Sequence, residues 1–320
     1  MQKTALILTS VLALTACAGK KTEVAASDDV APEVVVNFDA DSAYSYVERQ
    51  VAFGPRVPNT EAHRRCGEWL ASELRRRGAD VTEQRADLTA FDGTVLKAVN
   101  ILGRFNTESP DRLLLLAHWD CRPWADQDPN PDNRKKPVDG ANDGASGVGV
   151  LLEIARQLSE KAPGKGVDIL FVDAEDWGTE GSEDSWALGA RYFMEHPPVE
   201  GYLPDEAILL DMVGGKGAVF CREYFSEQAA PRLAQSLWGI AASRGYGDLF
   251  LNKLGGAVTD DHVQLIEKGV PAVDIIEYHP EQESGFNSHW HTVSDNMENI
   301  DRATLKAVGE TVMQYLITNY

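Results

Sequence analysis

His118, Asp120, Asp173, Glu175, Asp176 and Asp211 share a position as well as a chemistry. Each stands just after a short apolar run: Leu113 to Ala117, Val167 to Val172 or Ala207 to Leu210. A fourth run, 270–276, leads into a loop that holds His289, Trp290 and His291. In open α/β sheets, sites form at the carboxyl ends of the strands, so these groups are placed to converge there. Asp143 joins them from Gly140-Ala141-Asn142-Asp143-Gly144-Ala145-Ser146-Gly147, whose small residues let a helix start pack closely and point a carboxylate into a cleft. So many carboxylates would repel one another and rise in pKa unless a cation neutralised them. Carboxylate and imidazole ligands without thiolates fit a catalytic zinc site that keeps one position open. A carboxylate beside a ligand is then the natural general acid or base.

Singly, these residues signify less. A strand-terminal Asp often only caps a helix or forms a turn. His63, His196 and His279 read as surface or core fillers, Glu180 to Asp184 as a solvated loop with a calcium site as the alternative, and Trp69 and Trp238 as helix-face core residues. The joint placement carries the chemistry.

Elements of both periods must position these groups. Tyr44, Val47 and Val51 recur at helical spacing until Gly54-Pro55. Residues 60–77 predict a helix capped by Thr60, with Trp69, Leu70 and Leu74 as its stripe and Gly78 at its end. Segments 79–91 and 94–105 alternate around Asp92-Gly93, a hairpin signal. Helices are expected from about Ser146 to Lys161, near 185–195, 226–244 and 261–268, and from about Asp301 to Thr318. Between them stand the apolar runs, which read as strands buried on both faces. The alternation predicts an α/β fold with a mostly parallel central sheet and helices on both faces.

The first residues do not read as fold. Met1-Gln2-Lys3 is a basic start, Thr4 to Ala13 is apolar, and Leu14-Thr15-Ala16-Cys17 resembles a bacterial lipoprotein box. Residues 1–17 are thus expected to be a signal peptide and lipobox, with the lipid on Cys17. Residues 18–38 are expected to be a flexible tether, and 39–320 a single catalytic domain. The absence of Asp after Cys17 points to the periplasmic face of the outer membrane of a Gram-negative bacterium. The chain has 320 residues and a formal net charge of −20, which excludes nucleic acid as a partner and leaves the lipid as the one membrane contact. The remaining cysteines, Cys66, Cys121 and Cys221, read as buried thiols, with room for one bridge.

The ordered segments Ala117-His118-Trp119-Asp120, Asn142 to Gly147, Asp173-Ala174-Glu175-Asp176, Leu210-Asp211, Thr259-Asp260-Asp261-His262 and Trp290-His291-Thr292 with Asp295 resemble the zinc-dependent M28-type metallopeptidase superfamily. Within it they resemble the glutaminyl cyclases, bacterial branch, over about residues 40–320. The resemblance implies one zinc per chain on Asp143, Asp176 and His291, and Glu175 as the general acid/base. It implies that Asp260 and Asp211 hold Glu175 by short hydrogen bonds, and that Trp290 and Phe286 wall the pocket, with Trp177 or Trp186 as a second tryptophan. The substrates it implies are peptides or proteins with an N-terminal glutamine, cyclised to pyroglutamate with loss of ammonia by a monomeric enzyme. His118 and Asp211 match the second-metal ligands of the family's two-zinc aminopeptidases, which is the alternative reading. A non-catalytic peptide-binding lipoprotein of the same fold is the third. Two features favour the cyclase: Asp260 stands where the peptidases carry a small residue, and Trp290 precedes the ligand His291. One feature departs from it: animal cyclases carry a second glutamate where this chain has Asp176.

Overall fold

The computed structural model describes residues 36–320, so the signal segment, Cys17 and the tether up to residue 35 lie outside the described residues. In chain order the elements are α1 (Ala40–Val51), α2 (Glu61–Arg76), β1 (Asp80–Thr89), β2 (Val95–Phe105), β3 (Arg112–His118), α3 (Ala145–Glu160), β4 (Gly166–Val172), α4 (Leu188–Glu195), β5 (Glu206–Asp211), β6 (Phe220–Arg222), α5 (Tyr224–Ala229), α6 (Pro231–Ser243), β7 (Phe250–Leu254), α7 (Asp261–Glu267), β8 (Ala272–Ile276) and α8 (Arg302–Asn319).

Strand order in the main sheet is β1-β2-β4-β3-β5-β8. The β4-β3-β5-β8 half is parallel, while β1 and β2 form the expected hairpin and join β4 antiparallel. Gly93 takes φ 85° at the hairpin turn, the left-handed region that glycine enters freely. Successive strand residues point to opposite faces, and the core divides accordingly. Leu113, Leu115, Ala117, Ile169, Phe171, Ile208, Leu210 and Ile275 face the cluster built on α1, α2, α3, α6 and α8. Leu114, Leu116, Leu170, Val172, Leu209 and Ala272 face the cluster built on α4 and α7. Both faces are therefore covered, which is why these strands read as nearly continuous apolar runs. Asp168, buried among them, is held by Arg112 Nε at 2.8 Å and by the Tyr202 hydroxyl at 2.9 Å.

The structure corrects several boundaries. The expected helix over 226–244 is two, because Pro231 lacks an N–H and starts α6 instead of continuing α5. The helix expected from 185 begins at Leu188, after a 3₁₀ turn at Glu183–Ser185 and Ala187 at φ 55°. β6 and β7 pair with each other apart from the main sheet and were not expected. Val36 and Phe38, assigned by composition to the tether, are buried, and Phe38 lies so close to Gly309 that a Cβ there would meet its ring at 2.3 Å. The three cysteines are buried and free. Among the described residues no helix is long and apolar enough to cross a membrane.

Candidate metal centre and active cleft

The parallel strands end on one rim, and the loops leaving them carry the ionisable groups. β3 ends in His118 and leads to Asp120, whose oxygens accept from the backbone N–H groups of Glu175 at 3.2 Å and Asp176 at 3.3 Å. That bond pair fixes the turn after β4. Asp173 fixes the same turn from below, accepting from the N–H of Val99 at 2.6 Å and meeting His63 Nε2 at 2.9 Å. His63 is thus not a filler: it is buried, stacked on Trp119 at 4.2 Å, and bound to a carboxylate. The loop before α3 is pinned by Asp295, which accepts from Asn142 N at 2.7 Å and Asp143 N at 3.1 Å. A side chain at Gly144 would meet the His118 carbonyl at 2.3 Å, so only glycine admits this approach.

Asp143, Asp176 and His291 converge, each with a ligand atom within 4.8 Å of the others. His291 Nε2 lies 3.2 Å from Asp176 Oδ1 and 3.7 Å from Asp143 Oδ2. Both Asp176 side-chain oxygens are buried without a hydrogen-bond partner. Buried carboxylate oxygens with nothing to satisfy them are costly unless a cation does so. The donor set of two carboxylates and one imidazole fits zinc with a position left open. His118, Asp143 and Asp211 form an adjoining group of the same kind, with His118 Nε2 at 2.9 Å from Asp143 and 3.2 Å from Asp211. Asp211, expected against Glu175, therefore meets His118.

Two residues that sequence reasoning missed brace this centre. Arg122 is buried and donates to the carbonyls of Asp176 and Gly178, both at 2.9 Å. It also grips Asp126 through Nη2 at 2.6 Å and Nε at 3.2 Å, and Asp126 lies 3.5 Å from His291 Nδ1. One guanidinium thus ties the Asp176 turn to the His291 ring, sandwiched by Trp124 at 5.0 Å and Trp186 at 4.9 Å. The readable signal was an arginine and an acid, Arg122 and Asp126, just beyond His118 and Asp120.

Behind the metal groups lies a layer of buried acids. Burial, with Asp260, Asp176 and Asp261 adding repulsion, lifts the Glu175 carboxyl well above the ordinary range. Asp260 rises to about 7 through burial and the nearby Asp211. Asp261 and Asp274 rise well above the ordinary range for the same two reasons, burial and neighbouring carboxylates. Asp260, His262 and Asp274 cluster within 4.8 Å there, and Asp260 Oδ2 faces no donor. Asp143 is held low because the His118 hydrogen bond and charge outweigh its burial.

Glu175, Asp176, Asp143, Asp211, Asp260 and His291 all line one cleft of about 350 Å³. Its apolar wall is Trp290, Phe286 and Trp186. Of the two candidates, Trp186 lines the cleft and Trp177 does not; Trp177 meets Trp124 edge-on and bonds Asp92 instead. Trp290 also stacks on the His291 ring at 3.8 Å. His289 lines a separate, smaller cavity, His279 pairs with Glu277 at 2.7 Å, and His196 is exposed.

Residues 100–316 match the model of peptidase family M28. The chain belongs to that family. It superposes on a Zn-dependent exopeptidase from Parabacteroides distasonis with 54% identity and a TM-score of 0.87, over 89% of this chain and 100% of the other. The glutaminyl cyclase of Bacteroides thetaiotaomicron, solved with N-acetylhistamine, shares 49% identity at a TM-score of 0.87 and the same coverage. In sequence it is 26% identical to the glutaminyl-peptide cyclotransferase of Bos taurus over 258 residues, 69% of this chain and 66% of that protein. The chain thus spans about two thirds of the length of that curated relative. The M28 fold, with a six-stranded sheet between helices, agrees with the architecture expected from the apolar runs.

Proposed function

We propose that this M28 protein cyclises the N-terminal glutamine of peptides to pyroglutamate and releases ammonia, using one zinc on Asp143, Asp176 and His291. The observation that carries the reading is Asp260: a buried acid behind Glu175, in a cleft walled by Trp290 and Phe286, where a peptidase needs no such partner. A zinc ion held by Asp143, Asp176 and His291 would supply Lewis-acid polarisation of the γ-amide carbonyl.

The chain's own groups do the rest. Trp290, Phe286 and Trp186 exclude water and hold the glutamine side chain folded back on its own amine. The α-nitrogen bonds to the side-chain amide carbon, Cδ, closing a five-membered ring, and the bond from Cδ to the amide nitrogen breaks. Glu175 takes the proton that the attacking amine sheds and returns it to the departing nitrogen, which leaves as ammonia. Its raised pKa suits both transfers, and Asp260 can hold the proton-bearing form in place. No water is consumed.

The test is the product mass of a Gln-initiated peptide. Loss of one ammonia from an intact chain supports cyclisation; release of free glutamine overturns it. Glu175→Gln should cut turnover by about 10²- to 10⁴-fold while zinc stays bound; a fully active variant sinks the role. A two-zinc aminopeptidase is the second reading, favoured by the complete His118, Asp143 and Asp211 group. It predicts two metals per chain by elemental analysis. From residues 1–17 we also infer export and a lipid on Cys17, which metabolic labelling with a radioactive fatty acid would detect and Cys17→Ser abolish.

A further inference from the structure

The cleft above Glu175 has two banks. Glu180 and Glu183 line it from the loop after β4, and Glu283 from the loop after β8. No lysine or arginine is among its lining residues. Among the described residues these three carboxylates also have no ion pair, although acids beside them do. Asp184 lies 3.9 Å from Arg191, and Glu281 lies 3.1 Å from His279. Glu180 is fixed all the same, accepting from Gln127 Nε2 at 2.7 Å. On the floor below, Asp176 and Asp260 line the same cleft as buried side chains with unpartnered oxygens. A dication on the floor would offset Asp143 and Asp176 and leave the banks uncompensated. Opposed carboxylates with low-dielectric walls focus a negative potential on whatever lies between them.

With an N-terminal residue bound at the metal groups, the peptide beyond it would pass between them. A chain advances about 3.5 Å per extended residue, so with the glutamine on the floor, the second and third side chains stand level with the banks. We propose that the rim selects peptides carrying lysine or arginine directly after the N-terminal glutamine. This rests on the cyclase reading and names its substrate class. The side-chain stem of such a residue can lie along Phe286 and Tyr278, which line the same bank as Glu283. The banks are exposed, so each contact is modest: roughly twofold in affinity per carboxylate, and about tenfold between a lysine and a glutamate at the second position. The contact is the same in ground and transition states, so the preference falls on KM and leaves kcat alone. Salt erodes it, because the screening length is about 8 Å at physiological ionic strength.

The experiment compares three peptides that differ only in the second residue, Gln-Lys, Gln-Ala and Gln-Glu, at low and high ionic strength, with the zinc-loaded enzyme. The order Lys, Ala, Glu in kcat/KM, carried by KM and flattened by salt, is expected. The E180Q/E183Q/E283Q variant should lose most of the lysine-to-glutamate ratio, and E281Q, outside the cleft lining, should keep it. Equal rates for the three peptides, or a ratio that the triple variant retains, overturns the proposal. If free glutamine leaves instead of ammonia, the cyclase reading falls, and the same ratio measured on that product still decides whether the rim selects cations.

Discussion

Replacing Arg122 with methionine removes the one group that joins both sides of the metal centre. Methionine keeps the length and the apolar packing between Trp124 and Trp186 but none of the donors. The carbonyls of Asp176 and Gly178 lose their donor inside the protein, and Asp126 loses its bidentate partner. An unsatisfied buried carbonyl costs about 1–3 kcal/mol. Two of them come to roughly 4 kcal/mol, and Asp126, a third exposed, adds little after solvent screening. For a domain of this size that is a fall in Tm of roughly 8 °C. The centre suffers separately, since groups that orient ligands are worth about 10- to 100-fold in metal affinity. Chelator competition against R122M and R122K, with calorimetry of each, separates the two effects. Lysine keeps a charge beside Asp126 but cannot form the fork, so R122K should fall between wild type and R122M. An R122M protein with wild-type zinc affinity and an unchanged Tm would refute the bracing role.

Glu223 gives a pH signature. Burial would raise its carboxyl, but His262 and the N–H groups of Ser226 and Phe225 outweigh that and hold it at about 2, against an ordinary 4.5. A depressed folded pKa means stability that is complete above about pH 4.5 and lost as pH falls toward 2, worth roughly 3 kcal/mol. The stability gap between wild type and E223Q should therefore shrink on acidification; a gap constant from pH 7 to pH 3 counts against it. Gly147→Ala should lower Tm, because the added Cβ meets the Leu210 carbonyl at 2.1 Å and Ala117 Cβ at 2.9 Å, neither of which can swing aside. Overpacking of this kind costs about 3 kcal/mol, and because Gly147 begins the helix behind Asp143, activity should fall with it; an unshifted Tm would show that α3 has room. Chelation should lower Tm by the metal's linkage energy, about 4 kcal/mol where zinc stands at a thousand times its Kd, with recovery on adding zinc back. Asp143→Ala should abolish that difference, and if it does not, the metal sits elsewhere.

Much of this was legible because two of the signals are local. Leu113 to Ala117 and Val167 to Val172 are buried on both faces, so they are apolar apart from Asp168, which Arg112 and Tyr202 satisfy, and the polar groups that follow mark the strand ends. That rule alone brought out His118, Asp120, Glu175, Asp176 and Asp211. The hairpin was legible from Asp92-Gly93, since only the turn demands those types. What escaped depends on partners far along the chain. The short Phe220–Arg222 strand has no period to read, and it exists because Phe250–Leu254 lies beside it. His63 looked like any lone histidine until the fold set it on Asp173, 110 residues away. Arg122 carried no motif, and its use becomes visible only when the Asp176 turn and His291 stand on either side of it. Phe38 has the composition of its tether-like neighbours and is placed by α8, at the opposite end of the chain.

The free, buried cysteines carry a consequence for the life of the chain. Burial pushes the Cys66 thiol up to about 12, and raises Cys121 and Cys221 as well. Only the thiolate attacks disulfides and oxidants, so these sulfurs behave as small hydrocarbons for as long as the domain stays folded. No covalent cross-link ties the described residues together, so the contacts that shape the cleft are all non-covalent. A reducing agent should therefore leave the Tm of the folded domain where it is, since it finds no bond among the described residues to break.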